Sequence, residues 1–356
     1  MSVTMLLLAG AALSFVITGA VRRYALAAQL IDIPNTRSSH TVPTPRGGGI
    51  GIVVAFSLLL AWLGWRGDIG LPLLAALLGS GLVVALVGLL DDHGHVDSRL
   101  RLLSHVGAAV WALAWLGGLP PFPVFGAVVD LGRGTQALAV LYLVGALNFF
   151  NFMDGIDGIA SLEAITVALG GALLWWLTTG TALWVVPALF AACVAGFLLW
   201  NFPPAKIFMG DAGSGFIGIV LGVVSIASAI ESPPLFWSWF ILLGCFIVDA
   251  TVTLVRRVRR GARFDEAHRS HAYQYAARRH GAHRPVALAY AAITLLWLLP
   301  LAAGVALGRL DGVLGVVIGY APLVWLSFRY KAGARELQDA DVHDNPGSAA
   351  GPSEPA

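Results

Sequence analysis

The residues that could do chemistry in this chain sit in short polar islands between long apolar runs. The stretch Asn201–Ser214, NFPPAKIFMGDAGS, holds Lys206, Gly210 and Asp211 between two such runs. Gly210 and Gly213 leave backbone N–H groups uncovered at the start of the next helix, which suits phosphate. A carboxylate there is costly unless a metal ion or water compensates it. Asp91 and Asp92 are adjacent, so they repel unless they share a cation or a proton. Arg99 and Arg101 follow closely and could hold a phosphate beside them. In NFFNFMDGIDGIA, Asn148, Asn151, Asp154 and Asp157 recur at intervals of three. On a helix they would share one drifting face, although Gly155 and Gly158 suggest that the helix breaks there. The amides suit a base or sugar, and the carboxylates suit hydroxyls or metal. His268, Arg269 and His271 in HRSHAYQ suit a sugar or diphosphate. A zinc site is disfavoured, because no third ligand has suitable spacing. Arg46, in VPTPRGGGIG, is an anion partner at a glycine-rich helix start.

The elements that must position these residues are membrane helices. The chain has 356 residues, of which 58% are hydrophobic and 12% charged, with a mean hydropathy of +0.79. That is too apolar for a soluble globule. A span needs about 20 mostly apolar residues. Such runs fall near 4–21, 48–65, 70–90, 105–119, 135–150, 158–178, 183–200, 213–230, 235–255, 286–304 and 310–328. The expected fold is therefore an all-α polytopic membrane protein with about 11 transmembrane helices. One assignment of sides leaves only Arg66, Arg133 and Arg309, of 22 basic residues, on the poorer side. The positive-inside rule then puts the N-terminus outside and the C-terminus in the cytoplasm. Every polar island falls on the cytoplasmic side of this arrangement, which predicts a catalytic face there. Glu163 and Asp249, the two acids inside spans, lie near cytoplasmic ends and extend that face inward.

The first apolar run is followed, not preceded, by basic residues, so a retained span is expected rather than a cleaved signal peptide. Cys193 and Cys245 lie in apolar runs, which argues against a disulfide framework. Residues 120–134 have the composition of a small outer hairpin. The domain expected over 1–328 ends in a tail, 329–356, too polar to bury a core and expected to be disordered. The basic residues are spread over loops, so no nucleic-acid partner is expected.

With these islands in this order, residues 35–280 resemble the polyprenyl-phosphate N-acetylhexosamine-1-phosphate transferases. The carrying motifs are DD at 91–92, NxxNxxDGIDGIA from 148, PAKIFMGDAGS from 203 and the histidine motif at 268–271. The resemblance implies transfer of a sugar-1-phosphate from a UDP-N-acetylhexosamine to undecaprenyl phosphate in the bilayer, with release of UMP. It implies Mg²⁺, with Mn²⁺ an admissible substitute, and a bacterial inner-membrane location; a homodimer is also admissible. By position, Asp211 would bind the metal, with Asp154 as a second ligand, and Asn151 would lie with Asp154 on the nucleotide side. Asp91 and Asp92 would lie beside the acceptor phosphate, one of them a base. Arg99 stands where the family has lysine, and His105 where it has glutamine. The triple histidine of the muramyl-pentapeptide branch is absent, which points to the branch initiating O-antigen or other surface polysaccharides. Direct attack and an aspartyl-phosphate route both fit, with direct attack favoured because phosphoryl transfer depends on positioning. A proton-coupled transporter is the alternative, but it would place acids near the bilayer midplane.

Overall fold

The computed structural model describes residues 2–34, 42–94, 96–263 and 268–334. Of the tail expected to be disordered from 329, residues 329–334 are ordered, with Gly333 N donating to Ser270 O at 2.6 Å, and the rest, from 335, lies outside the described residues. The helices are α1 (Val3–Ala27), α2 (Ile50–Trp65), α3 (Leu71–His93), α4 (Ser98–Leu116), α5 (Arg133–Met153), α6 (Ile159–Thr179) and α7 (Val185–Asn201). They continue as α8 (Asp211–Glu231), α9 (Pro234–Leu242), α10 (Gly244–Val258), α11 (Ala272–His280), α12 (His283–Ile293), α13 (Leu299–Ala306) and α14 (Gly312–Arg329). In hydrocarbon the chain must satisfy its own backbone groups, which helices do within one segment. Many outward side chains are large and apolar, among them Leu8, Leu86, Leu141, Leu199, Leu296 and Val317, as lipid contact requires. The chain is a multi-pass membrane protein.

A count of eleven spans is not reached. Among the described residues eight helices are long and apolar enough to cross, or nine if α9 and α10, bent by 67°, form one broken span. The other two expected spans coincide with helices that fall short. At 16 residues α2 is only about 24 Å long. The first two turns of α4 carry Ser98, Arg99, Arg101, Ser104 and His105. One span, His283–Ala306, joins α12 to α13 through a π-helical turn at Thr294–Leu298. Pro300, two residues further on, lacks an N–H and would crowd the carbonyl of Leu296, which accounts for the widened turn.

The axle of the bundle is α8, 94% of whose spanning window is buried. It packs on α3 and α5 and, less extensively, on α9, α6 and α2. α1 lies against α7 and α2, while α4 covers α3 and α5. The expected hairpin forms: β3 (Phe122–Val124) pairs antiparallel with β4 (Ala127–Val129), Phe122 opposite Val129. Trp237 Nε1 donates to the Pro123 carbonyl at 2.6 Å, and Phe125 N donates to Asp311 Oδ2 at 2.7 Å. Both bonds pin the hairpin to α9 and α14. It joins the end of α4 to the start of α5, so it lies at the end of the bundle opposite the polar islands. At the other end, β1 (Ile31–Asp32) pairs antiparallel with β2 (Thr44–Pro45).

Candidate active site

The polar islands converge at one end of the bundle, where α3, α5, α7 and α10 finish and α4, α8 and α11 begin. The first island reaches the fourth through backbone bonds. Gly48 N donates to the Phe208 carbonyl and Gly49 N to that of Met209, both at 2.9 Å, and Phe208 N donates to Pro45 O at 2.8 Å. At this junction Gly49 and Gly213 touch backbone to backbone: a Cβ built on Gly49 would sit 2.4 Å from the Gly213 Cα. Arg46 extends its guanidinium to the carbonyl of Asp92.

Asp92 is buried, and its carboxylate caps α8. Oδ1 accepts from Asp211 N at 3.1 Å and Oδ2 from Ala212 N at 3.3 Å. These are two of the amides that every helix start leaves unpaired, and the helix dipole favours an anion there. Gly210, at φ +78°, makes the turn that presents them; a Cβ there would meet Asp92 Oδ2 at 2.6 Å. The cradle of N–H groups expected for phosphate is thus taken, in part, by the protein's own carboxylate.

Asp91 points elsewhere. Its Oδ1 accepts from Val96 N at 3.0 Å and its Oδ2 from Arg101 Nη1 at 2.5 Å. The Asp91 and Asp211 carboxyl groups also lie within hydrogen-bonding contact of each other. Two carboxyls at that separation must share a proton or a cation. Arg101, not Arg99, is the arginine at the site: Asp97 caps α4 through Arg99 N and Leu100 N, and the Arg99 side chain is exposed.

Asn151 Nδ2 donates to Asp211 Oδ1 at 2.9 Å and to Ser214 Oγ at 3.1 Å, fixing the metal-candidate carboxylate from the side of α5. Asn148, one turn earlier, returns its amide to Val144 O at 2.7 Å. With Arg101, His105, Asn151 and Asp211 it lines a small cavity between α3, α4, α5 and α8. The four-residue face expected over 148–157 is interrupted, because α5 ends at Met153. Asp154 caps that end, and among the described residues no hydrogen bond engages its carboxylate. Burial, then the charges on Asp211, Asp92 and Asp157, push the Asp154 carboxyl well above the ordinary range. Asp157, expected with Asp154 among the catalytic carboxylates, points to a different corner. Its Oδ2 accepts from Ala205 N at 3.0 Å, and its Oδ1 lies 3.4 Å from His283 Nδ1. Asn201, which the sequence did not single out, joins the same corner by accepting from Gly158 N at 3.0 Å.

The remaining expected residues are more peripheral. Lys206 is exposed, with Nζ over the Trp200 ring, where Arg22 also lies. His268 accepts from Ser270 N at 3.3 Å, and its ring is 4.9 Å from that of His271. Burial, with the charges of His271 and Arg257 adding to it, lowers the His268 pKa to about 3. His271 caps α11, and Arg269 gives its carbonyl to Arg278 Nη2 at 3.2 Å. Tyr273 Oη, two residues on, donates to Phe152 O at 3.1 Å and so ties this island to Asp154.

Among the described residues, no three His, Cys, Asp or Glu side chains converge to cage a metal. A hard divalent cation that keeps its waters needs only one or two carboxylates, with substrate phosphates completing the octahedron. Asp211, already against a second carboxylate, and the unengaged Asp154 fit that demand.

Residues 74–229 match the family described as Glycosyl transferase family 4. The match spans the first carboxylate pair, the Asn148–Asp157 stretch and Asp211, but not Arg46 or the histidines. Over 248 residues the chain is 30% identical to a probable undecaprenyl-phosphate N-acetylglucosaminyl 1-phosphate transferase of Bacillus subtilis, covering 68% of each. It is 32% identical to the decaprenyl-phosphate N-acetylglucosaminephosphotransferase of Mycolicibacterium smegmatis, over 62% of this chain and 59% of that one. A phospho-N-acetylmuramoyl-pentapeptide-transferase of Moorella thermoacetica is 34% identical over 53% of this chain and 62% of its own length. The transporter reading has no support in these likenesses. The chain belongs to glycosyl transferase family 4, the polyprenyl-phosphate N-acetylhexosamine-1-phosphate transferases.

Proposed function

We propose that the protein transfers N-acetylhexosamine-1-phosphate from a UDP-sugar to undecaprenyl phosphate at the cytoplasmic face of a bacterial inner membrane, releasing UMP. The product is the lipid diphosphate that initiates an O-antigen or other surface polysaccharide. The observation that carries this reading is the convergence of Asp91, Arg101, Asn151, Asp154 and Asp211 at one end of the bundle, where α8 begins. The excess of Lys and Arg on that side supports a cytoplasmic orientation. The names of the Bacillus and Mycolicibacterium relatives support GlcNAc as the sugar.

In this reading an oxygen of the acceptor phosphate attacks the donor's β-phosphorus. The P–O bond to the α-phosphate breaks, and the electron pair leaves with UMP. Phosphate monoesters have a second pKa of about 6, so the acceptor is mostly dianionic at pH 7 and needs positioning more than deprotonation. Arg101 can grip it through a planar fork, and Asp91 is placed to take any remaining proton. Asp92, with both oxygens engaged by amides, holds α8 in place and is not free to act as the base. Asp211 and Asp154 would hold Mg²⁺, which would neutralise charge on the transferring and leaving oxygens. Asn151 keeps Asp211 turned toward the site.

The test is UMP release from UDP-GlcNAc by purified protein, with undecaprenyl phosphate and Mg²⁺ each added or withheld. Release that requires both supports the reading, and release without the lipid phosphate refutes it. Running UDP-GalNAc and 6-deoxy donors in parallel identifies the sugar.

A further inference from the structure

Asp249, in α10, is a buried carboxylate surrounded by donors. Oδ1 accepts from Ala272 N at 2.8 Å and Thr253 Oγ1 at 3.1 Å; Oδ2 accepts from Tyr273 N at 3.0 Å and Tyr290 Oη at 2.8 Å. His271 Nδ1 lies 3.5 Å from Oδ1. A buried charge is tolerable only when its lone pairs are satisfied in this way. The two amides open α11, so Asp249 holds α11 as Asp92 holds α8. From that fixed start α11 reaches the site: His271 N donates to Gln274 Oε1 at 3.1 Å, closing the capping box, and Tyr273 Oη bonds the Phe152 carbonyl beside Asp154. Asp249 itself touches none of the residues placed around the reacting phosphates.

We infer that Asp249 is a positioning residue for the donor. By clamping the first amides of α11 it sets the His268–Gln274 segment against the Asn148–Asp157 turn, and the UDP-sugar binds between them. The inference rests on the transferase reading above and deepens it. Acceptor binding, assigned to Asp91 and Arg101, does not depend on this clamp.

The experiment compares wild type with Asp249→Asn, which keeps the shape but turns an NH₂ toward an amide N–H, and with Tyr273→Phe, which cuts only the hydroxyl's ties to Phe152 and Gly155. For Asp249→Asn the KM for UDP-GlcNAc should rise about tenfold or more, while the KM for undecaprenyl phosphate stays within about twofold. Tyr273→Phe should shift the same constant in the same direction, by a smaller factor. Amide exchange read without substrate should show faster exchange over 271–275 in Asp249→Asn. A folded Asp249→Asn with an unchanged donor KM, or with both KM values raised equally, overturns the inference. Should that variant not fold, Tyr273→Phe decides alone, and an unchanged donor KM overturns it. Wild type that releases no UMP refutes the transferase reading instead; the exchange data then still report whether Asp249 holds α11.

Discussion

Asp92→Asn separates a carboxylate that holds a helix from one that meets substrate. The wild-type side chain accepts amides from Asp211 and Ala212 on its two oxygens. Asparagine can serve one of them and must point an NH₂ at the other. A hydrogen bond to a charged group contributes about 1.5–3 kcal/mol, and an anion at a helix start adds roughly 0.3–1 kcal/mol, more when buried. Against this, removing the charge relieves repulsion with Asp91, Asp154 and Asp211. The net loss of stability should be about 1–3 kcal/mol. Turnover should fall on the order of 10²-fold, the cost of displacing Asp211 by about 1 Å. Unfolding of the detergent-solubilised protein and steady-state kinetics read the two effects. Asp91→Asn should instead raise the acceptor KM without the same stability loss. If Asp92→Asn unfolds like wild type yet loses as much turnover as Asp91→Asn, Asp92 acts on substrate directly and the helix-clamp argument fails.

Arg101→Ala should weaken undecaprenyl phosphate binding about tenfold or more, with Arg101→Lys milder and Arg99→Ala near wild type, as read from acceptor KM. Asp211→Asn should lower turnover on the order of 10²-fold and move the Mg²⁺ activation midpoint upward, so that added Mg²⁺ recovers part of the rate; an unmoved midpoint would remove Asp211 from the metal. The folded His268 pKa of about 3 lies below the ordinary value of 6.5, so between those values the unfolded chain holds a proton that the native protein does not. Stability should therefore fall as pH drops through 6.5 toward 3, by at most ~1.4 kcal/mol per pH unit, and His268→Gln should lessen that slope in unfolding measured at pH 7 and pH 5.

Much of this organisation is legible in the sequence, because apolar runs and polar islands alternate strongly. All five islands come together, and the hairpin over 122–129 forms where glycines and β-branched residues predict it. What the sequence leaves open is helical phase and long-range pairing. Arg99 and Arg101 differ by about 200° around a helix, so only one can face Asp91; which one depends on α4 starting at Asp97. Regular intervals of three from Asn148 suggest one face, yet α5 ends at Met153 and releases Asp157 to bind Ala205 and His283. Asp249 reads as an inward extension of the polar face, and no local pattern shows that its partners lie 23 and 24 residues onward. The expected count of eleven includes a 16-residue helix and a helix with two arginines in its first turns, neither of which is both long and apolar enough to cross by itself.

The contact of Gly49 with Gly213 bears on how such a protein can diverge. With no side chain on either face, a methyl at one position has no partner that can shrink to make room. Neither site can change alone without prising α2 from α8 and drawing Asp211 away from Asn151, and no paired change restores the fit. This junction is closed to drift.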